Sequence, residues 1–167
     1  MAELLEVAVA GPVAGLAGGV ALRGVASFLY DRTRPEVIER EQQLESREPF
    51  IILARKVAGR LGASLPEERE AQVERAIAYG FSAATGLVQA LVARRWRFGW
   101  LTGGVLFGTL FWALEDEGMG PLLGLVGDNR KYPWQSHARG LAAHIAFGVV
   151  SGAVGRLLVA SLRQRRA

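Results

Sequence analysis

The sequence predicts an all-α integral membrane protein: a four-helix bundle with a helical polar insert between the first and second spans. Three observations carry this. Charge is segregated, because residues 31–75 hold 10 acids and 9 bases, 19 of the 36 charged residues, while the other 122 residues carry 17. Those other residues form four long apolar stretches, each near the ~20 residues needed to cross a ~30 Å hydrocarbon core. Glycine, 21 in all, is abundant inside the stretches. In a soluble helix each such glycine costs about 1 kcal/mol against alanine. In lipid, helix is the local way to satisfy the backbone, and glycine lets helices approach closely.

The first unit is residues 1–30, with the apolar stretch Val7–Leu29 interrupted by Pro12 and Arg23. It opens with Glu3 and Glu6 where a signal peptide is basic, and it outruns an h-region, so it reads as a span that is kept. The polar insert, 31–75, follows. Its beginning mixes charges at helical spacing, with Glu36 and Arg40 four apart. After Pro49, residues Phe50, Leu53, Ala54, Val57 and Leu61 share one face flanked by Arg55, Lys56 and Arg60. That face suits either the membrane interface or the end of the bundle. Gly62 caps this helix, and Ser64 with Glu67 has capping-box spacing around Pro66.

Residues 76–167 hold the remaining spans, Ala76–Ala93, Phe98–Leu114 and Gly140–Leu162. The third has no charge, and a soluble helix apolar on every face would have to be fully enclosed. Tyr30, Trp96, Trp100, Trp112, Tyr132 and Trp134 fall at or near the segment ends, where amphipathic rings favour the headgroups. Four spans bring both termini to one side. Arg94, Arg95 and Arg97, with Arg163, Arg165 and Arg166, are dense there, which favours a cytoplasmic location for both termini.

Several functions are excluded or disfavoured. Without cysteine there is no disulfide framework, zinc-thiolate site, thiol nucleophile or c-type haem attachment. No Gly-x4-Gly-Lys-Ser/Thr run and no Ser-His-Asp arrangement is legible, so the chain does not read as an enzyme. Nucleic-acid binding is not expected despite a sequence pI near 10.1, because the bases read as membrane-edge charges.

The most regular motif is small-residue spacing. Gly11, Gly15 and Gly19 run down the first span, and Gly99, Gly103, Gly104 and Gly108 mark the third. Gly148 and Gly152 share a stripe with Gly140, His144 and Arg156 on the fourth, while Ala76, Gly80 and Ala84 are in register on the second. Such stripes pack helices against helices in lipid, within the chain or against a partner. They turn His144 toward a neighbouring helix, making it a candidate polar site together with His137, Glu115, Asp116 and Glu117. Two turns separate the histidines by about 10 Å, too far to share one ion unaided, and no metal site is predicted. An interhelical hydrogen bond is the plain role for His144; a haem or quinone contact is the alternative. The acids read first as a solvated loop pairing with Arg130, Lys131 or Arg139, and second as a cation site. Arg23 and Arg156 lie close enough to helix ends to snorkel to the headgroups.

Tyr132-Pro-Trp-Gln-Ser-His-Ala-Arg-Gly-Leu-Ala-Ala-His144-Ile-Ala-Phe-Gly148 resembles the closing section of the YagU-like family of small uncharacterised bacterial inner-membrane proteins. Ala14-Gly-Leu-Ala-Gly-Gly19 followed by a long polar insert is similar to that family's first helix and loop. The resemblance implies four helices and a bacterial cytoplasmic (inner) membrane location, and no reaction. Gly140 stands where some members carry an acidic residue four before the His.

The expectation for function is a non-catalytic, multi-pass accessory or assembly subunit. It would contact membrane lipid and dock on a larger membrane complex, or on copies of itself, through its glycine faces. The alternatives are a small transporter or channel using His144 and the Glu115–Glu117 cluster, and a haem- or quinone-binding membrane protein.

Overall fold

A computed structural model of the chain describes residues 2–44, 47–95 and 98–165. Helix accounts for 84% of it, with no strand among the described residues. Four long helices are α1 (Ala2–Tyr30), α4 (Glu67–Arg95), α5 (Trp100–Leu114) and α7 (Trp134–Gln164). The insert supplies α2 (Pro35–Gln42) and α3 (Pro49–Arg60), each with proline in its first turn, where a missing N–H costs nothing. Beyond α5 come a π-helical turn, Glu115–Met119, a short α6 (Gly120–Leu122) and a 3-10 turn at Asn129–Lys131.

Among the described residues, three helices are long and apolar enough to cross a membrane: α1 from Glu6, α4 and α7. The expectation of four such helices meets a shorter third segment. With 15 residues, α5 spans only about 22 Å at 1.5 Å per residue. The expected second and fourth segments are also extended at their starts, by nine residues to Glu67 and six to Trp134.

The helices run alternately up and down. Packing joins α1 to α4 and to α7, and α7 to α5, so the order across the bundle is α4–α1–α7–α5 with antiparallel neighbours. Glycine makes the crossings close. A Cβ on Gly15 would lie 2.8 Å from the Gly86 Cα, and one on Gly11 would lie 2.8 Å from the Leu87 Cα. On the other side of the bundle, a Cβ on Gly104 or Gly108 would come within 2.7 Å of the Val149 or Ile145 Cα. Gly148 sits opposite both, and Gly19 faces the Ser82 side chain. Gly152 approaches the Trp100 carbonyl and Gln89.

Two of the expected packing glycines have other surroundings. Gly99 caps the start of α5 with open space around it, and Gly103 has only the Phe98 Cβ nearby, because α5 turns its Gly104–Gly108 edge to α7. On α4 the contact falls to Ser82 and Gly86, one face away from Ala76, Gly80 and Ala84, which are exposed. Midway along the bundle, Gln89 donates to the Gly148 carbonyl at 2.7 Å and accepts from the Ser151 hydroxyl, clasping α4 to α7.

The insert folds back over one end of the bundle. Phe50 meets Phe81 of α4 edge-on at 5.7 Å. Lys56 donates to the Leu123 and Gly124 carbonyls at 2.6 and 2.8 Å, and Arg47 and Arg55 converge on Glu70. Phe50–Leu61 thus lies against the end of the bundle, with Val57 and Leu61 left exposed. Gly62 closes α3 at φ +70°, as its position predicts, and the Ala63 N–H reaches back to Ala58. Trp96, Arg97 and Arg166, expected at the opposite end, lie outside the described residues, as does the Glu3 side chain.

Candidate functional site

The site lies at the insert end, where α5 meets the start of α7. Glu115, Asp116 and Glu117 are consecutive, and an ordinary helix would fan them ~100° apart. Here they occupy the wider π turn, a local expansion frequent at functional sites. All three carboxyls find partners toward α7 or the loop before it. Among the described residues they do not pair with Arg130, Lys131 or Arg139, as the sequence suggested; their partners are the two histidines and Asn129.

His144 is buried, at 5% exposure. One ring nitrogen, Nδ1, lies 2.9 Å from the Gly140 carbonyl, which can only accept, so Nδ1 carries the proton. That leaves Nε2 with its lone pair 3.2 Å from Glu115 Oε2, another acceptor. Two acceptors face each other, and a cation or a further proton between them is what makes the arrangement stable. Asp116 Oδ2 lies 3.7 Å from the same ring. One carboxylate oxygen from each acid and one imidazole nitrogen fall within 4.8 Å of one another. Burial raises the Asp116 carboxyl from 3.8 to about 6; His144 opposes the rise, and the charges of Glu115 and Glu117 add to it.

Gly140 makes this possible, since a Cβ there would sit 2.7 Å from Asp116 Oδ2. The Trp112 indole N–H, buried beside Gly140, has no hydrogen-bond partner among the described residues.

A second His–carboxylate pair adjoins the first. His137 Nδ1 lies 2.5 Å from Glu117 Oε1, and Asn129 donates to Glu117 Oε2 at 3.0 Å and to the Asp116 carbonyl at 2.9 Å. The five polar candidates thus form a triad, Glu115–Asp116–His144, beside a pair, Glu117–His137, and the histidines do not share a ligand point. Nearby, Arg139 bonds Glu41 of the insert at 2.6 Å, and the Ser136 hydroxyl donates to the same carboxylate.

Two cavities enter the bundle from opposite ends. One, of about 240 Å³, opens beneath the insert and is lined by Asp116, Glu117, His137, Trp112 and Glu41, among others. The other, of about 450 Å³, enters from the end bearing the termini, between α4 and α5, and reaches Gly104, Phe107 and Ser151. Between them stands a phenylalanine cluster. Phe111 contacts Phe81, Phe107 and Phe147 at centroid distances of 5.9, 6.1 and 5.4 Å, and meets the His144 ring edge-on at 5.0 Å.

Sequence alone did not single out Glu41, Glu70, Gln89 and Asn129. Each is a polar residue whose partner is remote in sequence, and an acid in a charged insert gives no local sign that it will be buried. No known protein family, curated protein or solved structure matches the chain.

Proposed function

We propose that the chain is a small multi-pass membrane transporter or channel for a cation, with Glu115, Asp116 and His144 as the binding point on its path. One observation carries this reading: a charged cluster beside an aromatic plug, with a cavity approaching from each end of the bundle. Ionisable groups of a membrane protein face a bundle interior or an aqueous path, because lipid does not accommodate them. In this reading all four long helices cross the bilayer. The third span is short, and the π turn that bears the acids follows it at the membrane edge, beneath the insert. The location is a bacterial cytoplasmic membrane with both termini inside, supported by Arg94, Arg95, Arg163 and Arg165 at the terminal end. Kinship with the YagU-like family remains part of the proposal, resting on the Tyr132–Gly148 pattern. No reaction is assigned.

The test is purified protein in sealed vesicles, with proton and Zn²⁺ entry followed by internal dyes under an applied potential. Wild type should exceed empty vesicles, and Glu115→Gln or His144→Gln should lower the rate at least ~10-fold, the loss typical of disturbing a ligand shell. Wild-type rates equal to empty vesicles would sink the proposal.

A second reading, docking on a larger complex, has its own support. Gly11, Gly15, Gly104, Gly108 and Gly148 face inward, but the exposed Ala76–Gly80–Ala84 stripe of α4 presents a small-residue face outward. Gly80→Leu should then remove larger subunits from a native-gel band while leaving ion entry unchanged. A band of this chain alone in the wild type would remove this reading.

A further inference from the structure

We propose that Glu115, Asp116 and His144 bind one divalent first-row transition ion, with His144 Nε2 and one oxygen of each carboxylate as its protein ligands. The inference rests on the reading of this cluster as a cation site and names the class of ion.

Geometry comes first. Ligand atoms lie about 2.0–2.2 Å from such an ion, so atoms on opposite sides are at most ~4.4 Å apart. One ring nitrogen of His144 and one oxygen of each acid already lie within 4.8 Å of one another. Glu115 Oε2 is 3.2 Å from Nε2 and Asp116 Oδ2 is 3.7 Å from Nδ1, so a turn of the Asp116 carboxylate toward Nε2 would close the shell. The Gly140 carbonyl holds the second ring nitrogen of His144, the outer contact that fixes a ligating imidazole's tautomer and aim. Nε2 faces Glu115 Oε2 at 3.2 Å, a contact that a second ring proton makes in the metal-free protein and that a bound ion would take over. Two carboxylates with a neutral imidazole carry a charge of –2, which a divalent ion cancels.

Around the three ligands, the neighbouring groups are those a bound ion would use. The indole N–H of Trp112, buried and unpartnered among the described residues beside Gly140, is available to a water on the open coordination positions. Asn129 ties the π turn from outside through the Asp116 carbonyl. The cavity beneath the insert reaches Asp116, giving the ion an entry from solvent.

Donor chemistry selects the class. One nitrogen and two carboxylates, without thiolate or thioether, suit Mn²⁺, Fe²⁺, Co²⁺ or Zn²⁺. Cu(I) prefers sulfur ligands, and Ca²⁺ and Mg²⁺ prefer oxygen alone. The His137–Glu117 pair is already closed by a short contact and by Asn129, which makes it a neighbouring control.

The experiment titrates chelator-stripped full-length protein in detergent with Co²⁺, read by its visible ligand-field absorption, and with Zn²⁺ by calorimetry. Wild type should take up one ion per chain. Glu115→Gln and Asp116→Asn should each weaken binding by about 100-fold or more, while Glu117→Gln and His137→Gln change it little. His144→Gln should behave like the first pair. The two acids decide the matter, because they reach the edge of the bundle and their amides preserve shape. Helical circular dichroism checks each fold. Absence of a stoichiometric ion in folded wild type overturns the inference, as does loss of binding in the control variants alone. Proton entry into vesicles without Co²⁺ binding would overturn the metal site and leave transport standing. Binding of one Co²⁺ without any ion crossing would support the metal site and overturn transport.

Discussion

Gly86 and Gly80 stand less than two turns apart on α4 and give opposite expectations. A Cβ on Gly86 would overlap the Gly15 Cα, where backbone meets backbone and no side chain can give way. Gly86→Ala should force α1 and α4 apart, costing about 1–3 kcal/mol as overpacking does. Gly80 has nothing within 4 Å, so Gly80→Ala should cost nothing and gain a little helix propensity. Thermal unfolding in detergent separates the two, at roughly 2–4 °C per kcal/mol for a chain of this size. Asp116 supplies a pH signature. Its carboxyl is raised in the folded state, so the stability it contributes is full below about pH 4 and is lost as pH rises through about 6. In metal-free buffer, Asp116→Asn should melt a few degrees above wild type at pH 7.5 and level with it at pH 4. The side chain is 41% exposed, so screening holds the gain to about 1 kcal/mol. An equal gain at both pH values would show that Asp116 is not the group responsible.

At the scale of elements, the insert is a lid on one end of the bundle, held by buried acids that belong to ion pairs. Glu41 and Glu70 are nearly enclosed, and their arginines are drawn from α7 and from the insert itself. Glu41→Gln weakens the bond to Arg139 from charged to neutral, a loss of about 1–2 kcal/mol. Tryptic cutting within 31–60 should then quicken roughly 10-fold, because cleavage follows local opening. An unchanged cutting rate would mean that Lys56, Phe50 and the Glu70 ion pairs hold the insert without Glu41. Much of this level was legible in the sequence. Apolar length marked α1, α4, α5 and α7, charge spacing marked α2, Pro49 marked the break before α3, and Gly62 marked its end. What was not legible is which faces meet. A stripe four residues apart identifies a face that can pack, as Gly11–Gly15–Gly19 does, yet Ala76–Gly80–Ala84 has the same spacing and points outward. The opposing helix decides, and it lies elsewhere in the chain. Likewise Glu115–Glu117 looked like solvated acids, because the residues that enclose them, Gly140 and His144, sit some 25 positions downstream.

The whole molecule has an uneven cross-section. Because α1 and α7 each have two close neighbours and α4 and α5 one, the bundle is tight along α4–α1–α7–α5 and looser between α4 and α5, where the larger cavity opens. Phenylalanines close that seam at one level, and Phe111 touches both the seam and the His144 ring. One aromatic ring, that of Phe111, therefore separates the His144 cluster from the opposite cavity. The packing order also has a temporal meaning. The ribosome makes α1 first and α7 last among the four, yet these two form the most extensive pairing in the fold. During synthesis α1 can zip onto α4 early through Gly15 and Gly86, but half of its surface waits for the final helix. Until α7 is made, α1 has only one of its two packing partners, and the seating of α7 between α1 and α5 is also what brings His144 to the acids beyond α5.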